Sequence, residues 1–172
     1  MKKTRALERL WAPWRMPYLK KITAPKEPEG CFFCRYAETP KKDRENLILV
    51  RGKACFSLLN RYPYAGGHLL VAPLAHKAEL GRLGTTEREE MIGQLVLLQA
   101  TLDRLMRPQG YNVGANFGRA AGAGVPGHLH FHIVPRWNGD TNFMTSVADA
   151  RVLPQALSEL HAELQKALRN RR

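Results

Sequence analysis

The stretch HLHFHIVP, His128 to Pro135, places three of the chain's six histidines at alternate positions of an otherwise apolar run. In a β-strand, side chains at alternate positions point to the same face, so His128, His130 and His132 are expected to stand in one row. Imidazole titrates near neutrality, and crowding three of them disfavours protonation of each, which leaves bare ring nitrogens available as nucleophile or base. The middle residue, His130, has a histidine on either side. If its nitrogen attacked phosphorus, the neighbours would remain to bind phosphate oxygens or to serve the leaving group.

Immediately before the row lies GRAAGAGVPG, residues 118–127. It lacks the Lys and Ser/Thr of a P-loop, but its glycines, Gly124 among them, allow backbone N–H groups to converge on an anion. Further out, NLILV and CFSLLN read as a hairpin, HLLVAP as a third strand closed by Pro73, YNVGANF as a fourth, and HLHFHIVP as the fifth. Between the third and fourth, Met91, Ile92, Leu95, Leu98, Leu102, Leu105 and Met106 recur at helical spacing. Thr86 and Glu89 resemble a capping box, and Pro108 with Gly110 supplies the stop. Leu157, Leu160, Leu164 and Leu168 predict a C-terminal helix. Hairpin strands with few intervening helices indicate an α+β domain built on an antiparallel sheet. The expected organisation is an N-terminal arm over 1–30, a central domain over 31–145 and a C-terminal helical extension over 146–172.

The composition narrows the function classes. There is no run of apolar residues long enough to span a membrane, and MKKTRALERL carries charge where a signal peptide would be apolar, so a soluble cytoplasmic protein without a membrane partner is expected. Three cysteines argue against a secreted disulfide scaffold. Cys31 and Cys34 form a C-x-x-C pair that, with His76, offers three soft or borderline ligands; one histidine of the row, with His128 the choice, would close a tetrahedral structural zinc site. A catalytic zinc held by the three imidazoles is the competing arrangement. Cys55, inside an apolar strand, reads as a small buried hydrophobe. The net charge of +12 favours polyanionic partners, nucleotide or nucleic acid.

HLHFHIVPR resembles the His-x-His-x-His motif of the histidine triad (HIT) family, FSLLNRYPYAGGHLLVAPLAH its second block, and YNVGANFG its third; together they cover roughly Cys31 to Met144. The resemblance implies a HIT-like fold: a five-stranded antiparallel sheet with a long crossing helix, in a homodimer. It implies that His130 attacks an α-phosphate and is transiently nucleotidylated, that His128 and His132 orient it and contact phosphate, and that His68 supports the site. It puts Asn60 at the ribose hydroxyls and Asn116 near the phosphate. Where many relatives carry Gln followed by Ser or Thr, this chain has Gly124, Val125 and Pro126, so phosphate contacts there fall to backbone N–H groups, of which Pro126 has none. WAPWRMPYL and PRWNGDTNFM resemble the bacterial and archaeal branch similar to diadenosine tetraphosphate phosphorylases. The expected activity is cleavage of an adenine dinucleoside polyphosphate, resolved by phosphate or water, with no organic cofactor. A nucleoside phosphoramidase and a zinc-stabilised nucleic-acid-binding module are the alternatives. Asp140 and Asn142 are candidates for admitting the second substrate, although NGD reads more simply as a turn.

Overall fold

Cys55–Leu59 and Leu69–Pro73 are buried at every position, because the two central strands are covered on both faces. The computed structural model describes residues 30–140 and 155–170. In chain order these form α1 (Phe32–Glu38), β1 (Ile48–Arg51), β2 (Cys55–Leu59), β3 (Leu69–Pro73), α2 (Thr85–Met106), β4 (Gly110–Gly114), β5 (Phe131–Arg136) and α3 (Leu157–Arg169). The strands make one antiparallel sheet in the order β1-β2-β3-β5-β4. The expected five-stranded α+β architecture is therefore present. The N-terminal arm, Asn142 and the start of the C-terminal extension lie outside the described residues.

The pleat divides each strand between two layers. Cys55, Leu59, Leu69, Val71 and Ile133 pack with Leu95, Leu98 and Leu102 of α2 and with Leu160, Leu164 and Leu168 of α3. Phe56, Leu58, Leu70 and Ala72 face the other way, onto Phe33 of α1. The helical layer supplies most of the apolar burial; a fully buried leucine such as Leu102 contributes roughly 2 kcal/mol. Ile92, expected on the inner stripe of α2, is 57% exposed, as is Val96 at 63%. The core stripe runs through Met91, Leu95, Leu98 and Leu102 instead.

Local chemistry explains several boundaries. The start of α2 is capped at Gly84, whose N–H donates to the Glu87 carboxylate at 2.6 Å; the Thr86–Glu89 pair two residues further on does not form the box. The helix stops at Arg107, ahead of Pro108, with a left-handed backbone. Glu90, one turn into α2, accepts the N–H groups of Lys53, Ala54 and Cys55 at 2.9–3.1 Å and so clamps the β1–β2 turn. A Cβ at Gly52 would fall 1.6 Å from Glu90 Oε1, so any side chain there would have to displace the carboxylate of this clamp. At the sheet's β1 edge, His161 and Gln165 of α3 donate to the carbonyl of Ile48, which covers an otherwise open strand. The segment around the cysteine pair, read from sequence as loop, is the helix α1. Its last turn is held by Arg51, which donates to the carbonyls of Tyr36 and Ala37 and pairs with Asp43.

Candidate active site

The strand β5 begins only at Phe131, so His128 and His130 precede it and His132 lies within it. The alternation nevertheless persists through the whole stretch: Leu129 and Ile133 enter the α2 layer, while the rings of His128 and His130 pack, tilted, against Phe33 on the α1 side. His132 pairs in register with Leu70 and with Gly114, and shares that side. The three imidazoles thus share a face but have different partners.

His128 has both ring nitrogens committed. Its Nε2–H donates to the carbonyl of Pro73 at 2.9 Å, which leaves Nδ1 as a lone pair 3.3 Å from Cys31 Sγ and 3.6 Å from Cys34 Sγ. His76 Nδ1 is 3.2 Å from Cys34 Sγ, and one ligand atom from each of the four residues lies within 4.8 Å of the others. Burial and the neighbouring His76 and His130 push the His128 imidazole down to about 4, so it is a neutral ligand. Burial and Cys31 push the Cys34 thiol up to about 11, and a cation would relieve that penalty on the thiolate. Two sulfurs and two nitrogens at these spacings fit a tetrahedral zinc ion with no position left open, and the His128–Pro73 bond fixes one ligand ring from behind. His128 thus presents one ring nitrogen to the Pro73 carbonyl and the other to the two sulfurs.

His130 is set differently. Its Nδ1–H donates to the carbonyl of His128 at 2.8 Å. A carbonyl only accepts, so the proton belongs on Nδ1 and Nε2 carries the free lone pair. That Nε2 is bonded to none of the described residues and retains contact with solvent. Burial pushes the imidazole below its ordinary value, which keeps the lone pair bare at neutral pH.

His132 completes a relay of defined direction. The Tyr64 N–H donates to His68 Nδ1 at 3.1 Å, which requires His68 to carry its proton on Nε2. His68 Nε2–H then donates to His132 Nδ1 at 2.9 Å, and His132 in turn must be protonated on Nε2. That last N–H is buried with no partner among the described residues. Burial, with His130 beside it, pushes His132 down to about 4. A neutral imidazole with an unspent donor, one ring away from a bare imidazole nitrogen (centroids 5.0 Å apart), is an arrangement suited to an anionic substrate.

The other expected residues distribute around this centre. Asn60 packs on His68, its Nδ2 3.2 Å from His68 Nδ1 and its Oδ1 accepting the Tyr62 N–H. Asn116 lines a cleft of about 360 Å³ that also touches Tyr64, Gly114, His132, Arg136 and Asp140, though not His130 itself. Gly124 lies in the bend ahead of His128. Asp140 closes a turn onto Trp137 and pairs with Arg136 on the cleft wall. A larger groove of about 690 Å³, between α3 and the start of β1, has its own histidine, His161, already bonded to Ile48. Phe33, Tyr64 and the Pro73 carbonyl were not foreseen. The aromatic pair inside C-F-F-C and the tyrosine four residues before His68 were the only hints in the sequence.

The profile of the HIT domain matches residues 41–139. The AP-4-A phosphorylase of Mycobacterium tuberculosis is 38% identical over 156 residues, which span 89% of this chain and 80% of that protein. The chain belongs to the histidine triad (HIT) family. An adenosine 5′-monophosphoramidase of Saccharomyces cerevisiae is 28% identical over 86% of the HIT chain and 90% of its own length. Among solved structures, a zinc-bound histidine triad protein from Mycobacterium smegmatis superposes with a TM-score of 0.65 at 23% identity, covering 81% of this chain and 94% of that one. It shares the fold described above. Among the described residues no helix is long and apolar enough to cross a membrane.

Proposed function

We propose that this HIT protein cleaves dinucleoside polyphosphates of the diadenosine tetraphosphate type at the α-phosphate, through a nucleotidyl-His130 intermediate resolved by phosphate or water. The observation that carries the reading is the bare Nε2 of His130, fixed by the Nδ1–H bond to the His128 carbonyl. In the first step the Nε2–P bond forms as the bond from phosphorus to the bridging oxygen breaks, and the polyphosphate leaves with the electron pair. The imidazole becomes cationic, and the same carbonyl that oriented it stabilises the charge through Nδ1–H. His132 Nε2–H faces the growing negative charge. In the second step an oxygen of water or phosphate attacks phosphorus, the N–P electron pair returns to Nε2 as the bare lone pair, and the acceptor's proton passes to solvent.

The 38% identity to an AP-4-A phosphorylase supports this substrate class. Incubation with diadenosine tetraphosphate, with and without inorganic phosphate, tests it: ADP plus ATP means phosphorolysis, and AMP plus ATP means hydrolysis. No turnover with either acceptor overturns it. The second reading, a nucleoside phosphoramidase, draws on the donating His68–His132 relay, which suits an amine that must leave protonated, and on the similarity to a monophosphoramidase. Adenosine 5′-phosphoramidate as substrate separates the two. A nucleic-acid-binding role would require binding that falls steeply with salt and survives His130→Ala.

The reading includes a structural zinc at Cys31, Cys34, His76 and His128, supported by the closed donor set. When bound, zinc there supplies rigidity; no step of the reaction passes through it. It also includes a homodimer. Ile92 and Val96 share a helical stripe with Gln99 and Asp103, both of which bond the Tyr111 hydroxyl, so this exposed apolar strip runs into the open edge of β4 beside exposed Val113. A reducing cytoplasmic setting suits three free thiols.

A further inference from the structure

We propose that the metal held by Cys31, Cys34, His76 and His128 sets the working orientation of the nucleophile, with His128 as the positioning residue that joins the two sites. The proposal rests on the reading of His130 as nucleophile and adds to it a dependence on metal. His128 is tied at three points. Its Nδ1 faces the two sulfurs, its Nε2–H is on the Pro73 carbonyl, and its own carbonyl receives the Nδ1–H of His130 at 2.8 Å. That last bond is what leaves His130 Nε2 bare, so any rotation of the His128 backbone releases the tautomer. A second support runs in parallel. Cys31 and Cys34 bracket Phe33, a fully buried ring whose centroid lies 5.0 Å from His128 and 4.9 Å from His130.

The helix carrying this ring is only seven residues long and starts at Cys31 with no side-chain cap. Helices this short do not persist on their own, so α1 depends on what holds it: Phe33 packed against Phe56 and Leu70 of the sheet, Arg51 at the last turn and the metal cluster at the first. Without a metal, the two cysteines that flank the ring have only thiol–imidazole contacts, and the ring against His130 is held by apolar packing without a fixed first turn. The metal therefore acts on His130 through two routes, a carbonyl and an aromatic face, without touching it.

His76 makes the test clean, since it is exposed and, among the described residues, meets the triad at the ring of His128. Four samples are compared: zinc-loaded wild type, chelated wild type, His76→Ala, and His76→Cys, which restores a ligand. Imidazole ¹⁵N–¹H spectra report which nitrogen of His130 carries the proton, and Leu98 and Leu102 methyl signals report the integrity of the opposite face. The loaded protein and His76→Cys should show His130 as a single Nδ1–H tautomer. Chelated protein and His76→Ala should show it exchanging between tautomers, with kcat for diadenosine tetraphosphate lowered by about 10- to 100-fold and AMP affinity little changed.

A folded metal-free protein that keeps the single tautomer overturns the proposal. So does loss of the Leu98 and Leu102 signals on chelation and in His76→Ala, which would make the metal a staple of the whole domain. A loaded protein that shows the metal-sensitive tautomer but cleaves no dinucleoside polyphosphate would sink the functional reading and leave the coupling standing.

Discussion

The two faces of the sheet are built on opposite rules. On the α2 and α3 face, Leu59, Leu69 and Ile133 meet leucines from both helices, and the contacts are non-directional: any apolar group of the right volume serves. On the α1 face β5 carries His132, with His68 just ahead of β3 and His130 just ahead of β5, and each contact has a direction. A proton on one nitrogen dictates where the next proton sits, from the Tyr64 N–H through His68 to His132, and separately from His130 to the His128 carbonyl. Stability is spread over many residues on the first face, whereas reactivity is concentrated in a few bonds on the second. A substitution should therefore damage one property and spare the other, according to the face it occupies.

The largest effect expected is on the reactive face. His130→Ala should lower kcat by at least about 10⁴-fold, since it removes the nucleophile itself, while thermal unfolding stays close to wild type. Rapid-quench assay of turnover beside calorimetry checks both halves; retained turnover would place the attacking atom elsewhere. On the helical face Leu102→Ala should do the reverse. It should cost about 3 kcal/mol and lower Tm by roughly 10 °C, with kcat per folded molecule unchanged, as read by denaturant titration and active-site counting.

Cutting the relay one residue back is a smaller perturbation. His68→Leu frees His132 to take either tautomer, and kcat should fall by about 100-fold with the sheet intact. A change in Tm as large as that of Leu102→Ala would mean that His68 is a packing residue. The mildest test is pH. Burial holds His132 near 4 when folded against an ordinary 6.5, so between those values the unfolded chain binds the proton that the folded one refuses. This contribution to stability is intact above about pH 6.5 and is lost as pH falls toward 4, so urea midpoints should be lower at about pH 5 than at about pH 7.5. His132→Phe should reduce that slope, leaving the shares of His128 and His130, and Leu102→Ala should leave it as it is.

Much of the helical face was readable in the chain because its signal is periodic and local. The leucines of α3 and the row Met91, Leu95, Leu98, Leu102 repeat at helical spacing, and the strands alternate between turn residues. The exceptions mark where context decides. Ile92 looks like core by type, yet its angle on the helix turns it outward beside the open edge of β4. Helix α1 escaped because seven residues around a cysteine pair carry too little periodicity to be recognised; it is held by Arg51, by the cysteine–histidine cluster and by Phe33 against the sheet. The clamp of Glu90 on the β1–β2 turn joins residues 35–37 positions apart, a separation that local patterns do not record.

By itself the sequence determined that three imidazoles share one face of a strand-like segment, that two thiols and further histidines make a metal-type donor set, and that the domain is α+β. These follow from spacing and side-chain chemistry, which are properties of neighbours along the chain. Only the tertiary structure decided which nitrogen of each histidine is bare, because that depends on carbonyls and N–H groups delivered by β3, by the Tyr64 turn and by the backbone of His128. A tautomer is set by the direction of a hydrogen bond, and that direction exists only once the chain has folded.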